Sequence, residues 1–148
     1  MNEFLPIKNK KIGILGAARS GIAAAKLANE FKAEVFISDN KHTCEYDLEK
    51  FSYELGNHTD KILDSDFIIK SPGISNNTAI VKKIIKSKIP IVSEIEFASW
   101  FTDAFIIGLT GTNGKTTSVN MINHMILQFS YRSMVNALAY DPLYAFLR

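Results

Sequence analysis

The octapeptide Thr110-Gly111-Thr112-Asn113-Gly114-Lys115-Thr116-Thr117 constrains this 148-residue chain more than any other segment. The apolar run Ala104-Phe105-Ile106-Ile107-Gly108-Leu109 leads into it and reads as a buried strand, and Thr116 to Phe129 leaves it with helical spacing. Strand, glycine-rich turn and helix is the layout of a phosphate-gripping loop. In that layout backbone N–H groups of the turn and of the helix N-terminus converge on anionic oxygens, and the helix dipole favours the negative charge. Gly111 and Gly114 allow the backbone to bend around the anion with no Cβ in the way. Lys115 is then placed to reach the β- and γ-phosphates, and the Thr116 hydroxyl to ligate Mg²⁺. The general pattern G-x-x-x-x-G-K-[ST] asks for glycine where this chain has Leu109, so the match is to the variant G-x-x-G-K-T. A solvated Gly/Thr/Asn turn with an incidental lysine is the alternative, and the agreement of strand, loop chemistry and helix weighs against it.

A second glycine turn lies near the start. Lys11-Ile12-Gly13-Ile14-Leu15 reads as a strand, Gly16-Ala17-Ala18-Arg19-Ser20-Gly21 as the turn into an alanine-rich helix reaching about Lys32, and Glu34 to Ser38 as a second strand ending at Asp39. The turn is G-x-A-x-x-G, one substitution from the dinucleotide fingerprint. Its second glycine normally lets the backbone touch a pyrophosphate, so the Ala18 methyl places a diphosphate differently or farther out. Asp39 stands where an acid would bond a ribose hydroxyl. Alone, these features leave open a dinucleotide, another nucleotide ligand, or a purely structural turn.

Farther on, the pattern weakens from Lys41 to Leu63, with a helix expected around Asp47 to Leu55 and a turn at Gly56-Asn57. Phe67 to Lys70 reads as a strand closed by Ser71-Pro72-Gly73, Thr78 to Ser87 as a helix, Ile89 to Val92 as a strand, and Ser93 to Phe101 as a short amphipathic helix. Strands alternating with helices predict an α/β fold: a Rossmann-like parallel sheet with covered faces. Ser-Pro-Gly by itself is an ordinary turn. It gains weight because the strand ends at Gly16, Asp39 and Ser71 would converge on one crevice, at the carboxyl edge where open α/β sheets bind ligands. The expected organisation is a Rossmann-like domain over residues 1–97, then, over 98–148, the strand, P-loop and helix that begin a P-loop ATPase-type domain.

Composition narrows the class. A hydrophobic content of 47% supports a packed core, and the formal charge of +2 comes from scattered lysines with acidic residues between them, so no basic stripe for nucleic acid appears. Cys44 is the single cysteine, which excludes an internal disulfide and fits a reducing compartment. No secretory signal is visible at Met1 to Ile7, and no run approaches the roughly 20 apolar residues of a membrane helix. A cytoplasmic monomer is expected. His42, His58 and His124 lack cysteine or carboxylate neighbours at ligand spacing and read as surface or boundary histidines.

The glycine turn at Gly16, the segment Lys70-Ser71-Pro72-Gly73-Ile74, the segment Ser93-Glu94-Ile95-Glu96 and the Thr110 to Thr117 loop together resemble the Mur ligases. These are ATP-dependent amide-forming ligases of peptidoglycan precursor synthesis, and the Ser-Pro-Gly-Ile turn is similar to that of the D-glutamate-adding branch. The resemblance runs from about Lys10 to about Phe129. It implies a first domain that holds the UDP part of UDP-N-acetylmuramoyl-L-alanine and a second that holds ATP and Mg²⁺. By motif position, Arg19 and Ser20 would lie at the diphosphate and uracil, Asp39 and Asn40 at the uracil, and Ser71, Pro72 and Gly73 along the diphosphate-sugar region. An aspartate can also accept a uracil imide N–H on chemical grounds alone. Gly111, Thr112, Asn113, Gly114, Lys115, Thr116 and Thr117 would bind the ATP phosphates, with Lys115 and Thr116 in catalytic roles and Thr116 on the metal. Such enzymes activate a carboxylate as an acyl phosphate, which the amine of D-glutamate displaces.

The end of the chain departs from the family. The family's Gly-Asn-Ile-Gly turn has no counterpart in Met134 to Pro142, so Asn136 has no firm match, and the expected metal-binding glutamate and histidine, modified lysine and C-terminal domain do not follow. The resemblance thus implies a truncated form that is inactive alone. Two other functions stay open: an NAD(P)-binding oxidoreductase domain, supported by the first glycine turn and Asp39 but not by the second loop, and a residual, non-enzymatic nucleotide-binding module.

Overall fold

The computed structural model of the chain describes residues 7–104, 106–129, 135–137 and 145–147. The N-terminal stretch 1–6, Phe105 and most of the tail on which sequence expectations were placed lie outside these residues. The chain divides into two compact units, Met1–Phe101 and Thr102–Arg148.

The first unit is a five-stranded, all-parallel sheet. Its strands are β1 (Lys11–Leu15), β2 (Glu34–Asp39), β3 (Ser52–Leu55), β4 (Phe67–Lys70) and β5 (Ile91–Ser93), in the spatial order β3-β2-β1-β4-β5. Helix α1 (Arg19–Glu30) joins β1 to β2, helix α2 (Ala79–Lys86) joins β4 to β5, and α3 (Glu94–Ser99) follows β5 directly. A single turn of tight helix at Asp60–Asp64 precedes β4. The chain reverses its direction of winding between β1 and β4, and in open α/β sheets that switch point is where ligands settle.

Alternation along each strand builds two cores, one on each face. Ile12 and Ile14 of β1, Val35 and Ile37 of β2, Ile69 of β4 and Val92 of β5 pack with Ile22, Ala24, Ala25 and Ala28 of α1. The intervening positions Leu15 and Ile68 face Ile80, Val81 and Ile84 of α2 together with Ile62. The small alanine face of α1 lets that helix lie close to the sheet. Gly13 does the same on the other face, where a Cβ would come 2.9 Å from both the Ile62 side chain and the Ser65 hydroxyl.

Two sequence expectations are corrected. The helix expected over Asp47 to Leu55 is absent; its second half is the edge strand β3, zipped to β2 from Phe36↔Ser52 to Asp39↔Leu55. Four ladder positions against an existing strand outweigh a weak helical preference. The strand expected over Ala104 to Leu109 is also absent, since residues 106–110 carry no strand pairing and Ile106, Ile107 and Leu109 are exposed. A parallel strand forms only against a neighbour that satisfies its N–H and C=O groups.

The first unit extends to Phe101, past the expected boundary at residue 97, and ring packing explains the difference. Phe97 is fully buried, with ring centroids 5.0 Å from Phe101 and 5.6 Å from Trp100, while Phe67 lies 5.5 Å from Trp100 and Phe31 4.5 Å from Phe101. In the second unit, α4 (Lys115–Phe129) is a 15-residue helix, and β6 (Val135–Ala137) pairs antiparallel with β7 (Ala145–Leu147). Asn136 therefore sits in a strand and not in a turn. No helix among the described residues is long and apolar enough to cross a membrane.

Candidate functional site

The carboxyl ends of β1, β2 and β4 carry the first-unit residues singled out by sequence. After β1 the backbone turns at Gly16, whose φ of 110° favours glycine and whose missing Cβ leaves room for the Ser71 hydroxyl, 2.7 Å from where that carbon would lie. Gly21 is fixed more strictly still, because a Cβ there would stand 2.0 Å from the Gly16 carbonyl oxygen. These two glycines are required by the turn itself. Ala18, between them, is the N-cap of α1 in extended conformation and provides no side-chain cap. The first turn of α1 thus presents backbone donors without a protein side chain to receive them.

Asp39 ends β2 beside this turn. Its Oδ2 accepts the Ala17 N–H at 2.6 Å, and its Oδ1 accepts the Lys41 N–H at 2.8 Å. Arg19 and Asn40 are exposed on the same edge. Cys44 donates to the Ala17 carbonyl at 3.5 Å, so the two peptide groups that flank the Ala17 Cα are both held.

The two serines differ. Ser20 is buried, and its hydroxyl donates to Glu94 Oε1 at 3.0 Å. Ser71 is equally buried, but its Oγ has no partner. A buried hydroxyl without a partner is costly unless something supplies one, which makes Ser71 the serine available to a ligand. Pro72 and Gly73 follow it on an exposed turn closed by the Ile74 N–H on the Ser71 carbonyl at 3.1 Å. Gly73 does not take a positive φ, and a Cβ on it would meet nothing within 4 Å. Neither backbone nor packing demands a glycine there, whereas close approach by a bound molecule would.

Sequence reasoning gave no role to three groups that the structure brings forward. Glu94 is 2% exposed, holds Ser20 with one oxygen and has its other oxygen unpartnered. Lys70 donates to the carbonyls of Ile74 (2.7 Å) and Ser71 (3.3 Å). Ser38, fully buried in β2, donates to Glu54 Oε1 at 2.6 Å and lies 2.7 Å from His58 Nδ1. Burial would raise the Glu54 pKa, but hydrogen bonds from Ser38 and Thr59, with the charge of His58, outweigh it and hold the carboxyl below the ordinary glutamate value. His58 is accordingly a half-buried structural histidine. The sequence pattern does not reveal this cluster, because Asp47 to Leu55 reads as a helix and His58 as a surface or boundary histidine. Glu94 and Lys70 stand in two of the segments that carry the family resemblance, but residue type and spacing do not reveal the contacts they make.

In the second unit, the residues Gly111, Thr112, Asn113, Gly114, Lys115, Thr116 and Thr117 form an exposed loop running into the start of α4. Gly114 has φ 76° and open space where a Cβ would lie, and the Ser118 N–H begins the helical ladder on the Gly114 carbonyl at 2.9 Å. The Lys115 ammonium donates to the Gly111 carbonyl within the loop. An open glycine bend, a lysine folded over it and a helix N-terminus behind it are a donor set that suits phosphate oxygens. No group of three or more histidine, cysteine or acidic side chains among the described residues could hold a metal. An open groove of about 440 Å³ lies at the opposite, amino edge of the sheet, lined by Lys11, Glu34, Tyr53, Lys61 and Asp64 among others, and its lining includes none of the candidate site residues.

The class defined by this geometry is a Rossmann-like α/β unit with its candidate ligand edge at the β1/β4 switch point. Comparison with known proteins narrows it. Residues 11–80 match the family described as the MurD N-terminal domain. The UDP-N-acetylmuramoylalanine--D-glutamate ligase of Elusimicrobium minutum is 47% identical over 126 residues, covering 82% of this chain and 28% of its own. The ligase of the same name from Chlorobium phaeobacteroides is 44% identical, covering 80% and 26%, and that from Bacteroides thetaiotaomicron 43%, covering 78% and 28%. The chain spans about a quarter of the length of these relatives. The crystal structure of UDP-N-acetylmuramate-alanine ligase MurC from Thermotoga maritima superposes with a TM-score of 0.56 at 22% identity, covering 81% of this chain and 30% of that one, which shows the shared fold.

Proposed function

We propose that the first unit binds UDP-N-acetylmuramoyl-L-alanine at the carboxyl edge of its sheet, and that the chain is the corresponding part of an ATP-dependent ligase joining D-glutamate to that substrate. The observation that carries this reading is the convergence of the Gly16 turn, Asp39 and Ser71 at the switch point. One side offers uncapped N–H groups of α1, and the other a buried unpartnered hydroxyl beside a glycine that the fold does not need. The diphosphate falls to the N-terminus of α1 with Arg19, the uracil to Asp39 and Asn40, and the sugar to the Ser71–Gly73 turn. Ser20, committed to Glu94, serves to hold α1 and not the ligand.

ATP and Mg²⁺ are assigned to the loop Gly111 to Thr117. The matches to the named ligases cover about four-fifths of the 148-residue chain, which supports reading this loop as part of the same resemblance. Bound there, the nucleotide supplies the phosphoryl group that activates a substrate carboxylate toward the amine of D-glutamate. Lys115 would balance charge on the phosphate oxygens and the Thr116 hydroxyl would meet the metal. An NAD(P)-dependent oxidoreductase domain is the competing reading, supported by the G-x-A-x-x-G turn and disfavoured by the second loop and by the Ala18 methyl at the position of close approach.

Calorimetric titration of the chain with UDP-N-acetylmuramoyl-L-alanine and, separately, NAD decides between them. Binding of the UDP-sugar with no response to NAD is expected, and tight NAD binding with no response to the UDP-sugar overturns the assignment.

A further inference from the structure

We propose that Lys70 is a positioning residue for the anionic ligand of the first unit: it locks the Ser71–Ile74 turn and places an unneutralised positive charge beside it. Lys70 is the last residue of β4, in register with Leu15 of β1 on one side and Ser93 of β5 on the other, and so stands at the switch point itself. Its ammonium folds back over the following turn, donating to the Ile74 carbonyl at 2.7 Å and the Ser71 carbonyl at 3.3 Å. The Ser71 carbonyl also receives the Ile74 N–H, so the lysine clamps both ends of one four-residue turn. That turn carries Ser71, with its unpartnered hydroxyl, and Gly73, with open space in place of a side chain.

An ammonium has three donors, and two are used here. Among the described residues the ion pairs belong to Lys10, Lys11 and Lys83, and no carboxylate pairs with Lys70. Those three are exposed pairs of the kind that contributes little, whereas Lys70 is half-buried. A partly buried cation with a spare donor and no counter-charge calls for an anion from outside the chain. Across the switch point, the uncapped N-terminus of α1 adds partial positive charge of the same sign. The two sides together suit a diphosphate and leave the neutral sugar to the turn between them. A lysine that merely capped a turn would give the same hydrogen bonds but would leave no mark on the ionic-strength dependence of binding.

The inference rests on the UDP-sugar reading above, and its test separates the two. The 148-residue chain and its variants are titrated with UDP-N-acetylmuramoyl-L-alanine at low and high salt, with a thermal melt of each. Lys70→Met removes donors and charge, and we expect about tenfold weaker binding at low salt and a shallower salt dependence. Lys70→Arg keeps both and should stay within about threefold of wild type. Lys70→Gln keeps a donor for the Ile74 carbonyl and loses only the charge, so it should show the same shallower salt dependence even if Lys70→Met fails to fold. Wild-type affinity and salt dependence in folded Lys70→Gln overturns the role of Lys70 and leaves the UDP-sugar assignment standing. Absence of binding by the wild-type chain overturns both.

Discussion

Asp39 braces the glycine turn from the neighbouring strand, its Oδ2 accepting the Ala17 N–H at 2.6 Å while Oδ1 takes the Lys41 N–H at 2.8 Å. A carboxylate has about four lone-pair sites, so both oxygens retain capacity for a further donor such as a uracil imide. Shaping the turn and meeting the ligand are therefore roles of one side chain. Asp39→Ala should cost about 1.5–3 kcal/mol of stability, the range for hydrogen bonds to a charged group, and should also weaken the UDP-sugar. Asp39→Asn, which keeps one acceptor, should lose less of each. Urea denaturation and calorimetry on the same samples check the two effects, and unchanged affinity in a folded Asp39→Ala chain would remove Asp39 from the binding site.

The two buried serines should respond in opposite ways. Ser20→Ala leaves Glu94, 2% exposed, with neither oxygen bonded, and should destabilise by about 1–3 kcal/mol while leaving ligand affinity in the folded chain unchanged. Ser71→Ala removes a hydroxyl that has no partner, so stability should hold or rise, and affinity should fall. A melt and a titration of each variant provide the comparison, and the reverse pattern would assign the diphosphate to Ser20.

Glycines separate along the same line. At Gly21 a methyl would meet the Gly16 carbonyl oxygen at 2.0 Å, and backbone cannot swing aside as a side chain can, so Gly21→Ala should cost about 2–4 kcal/mol. At Gly73 a methyl meets nothing, and Gly73→Ala should change stability by less than about 0.5 kcal/mol while obstructing the ligand. Normal affinity in Gly73→Ala would make that glycine incidental.

The parts of the fold legible in the sequence are those in which local pattern and final packing agree. The buried runs at Lys11 and Phe67 and the alanine-rich α1 needed no further information, since β1 and β4 are covered on both faces and their residues are apolar on both. β3 was not legible: Ser52 to Leu55 becomes a strand only because β2 presents an unpaired edge to it, a long-range condition that no window around residue 53 contains. The segment 106–110 failed for the converse reason, being strand-like in composition but without a neighbour to pair with. For the candidate site, glycine and turn chemistry marked Gly16, Ser71 and Gly73. The use of each polar group was hidden, because Ser20 and Glu94 meet across 74 positions of sequence and Lys70 clamps its turn by a side-chain reach that spacing does not reveal.

Acid should loosen the end of the sheet at β3 first. The folded chain holds the Glu54 carboxyl below its ordinary value, so this group contributes stability that is present above the unfolded-state pKa, roughly 4.3, and is lost as pH falls through the lower folded value. The lost interactions are the Ser38 and Thr59 hydrogen bonds to the carboxylate. The melting temperature of wild type should fall more steeply below about pH 4.3 than that of Glu54→Gln, which cannot titrate. Parallel curves for the two chains between pH 3 and 6 would show that Glu54 is not coupled to folding.

The second loop yields the sharpest contrast between free and bound states. In the free chain the Lys115 ammonium rests on the Gly111 carbonyl, and residues 111–117 are exposed. Carbonyl oxygen is a weaker partner for an ammonium than a phosphate oxygen, since the anion adds full charge to the hydrogen bond. An arriving triphosphate should therefore draw Lys115 off Gly111, and the freed loop N–H groups should close on the anion. Hydrogen exchange should be slow in β1 and β4 and fast from Gly108 through the loop in the free chain, and Mg²⁺-ATP should slow it over 111–118 alone. Lys115→Ala should abolish both that protection and the displacement of a fluorescent ATP analogue, while leaving titration of the first unit with the UDP-sugar intact. Equal displacement by wild type and Lys115→Ala would show that the loop is a solvated turn, and that the resemblance of Thr110 to Thr117 to a phosphate grip has no counterpart in binding.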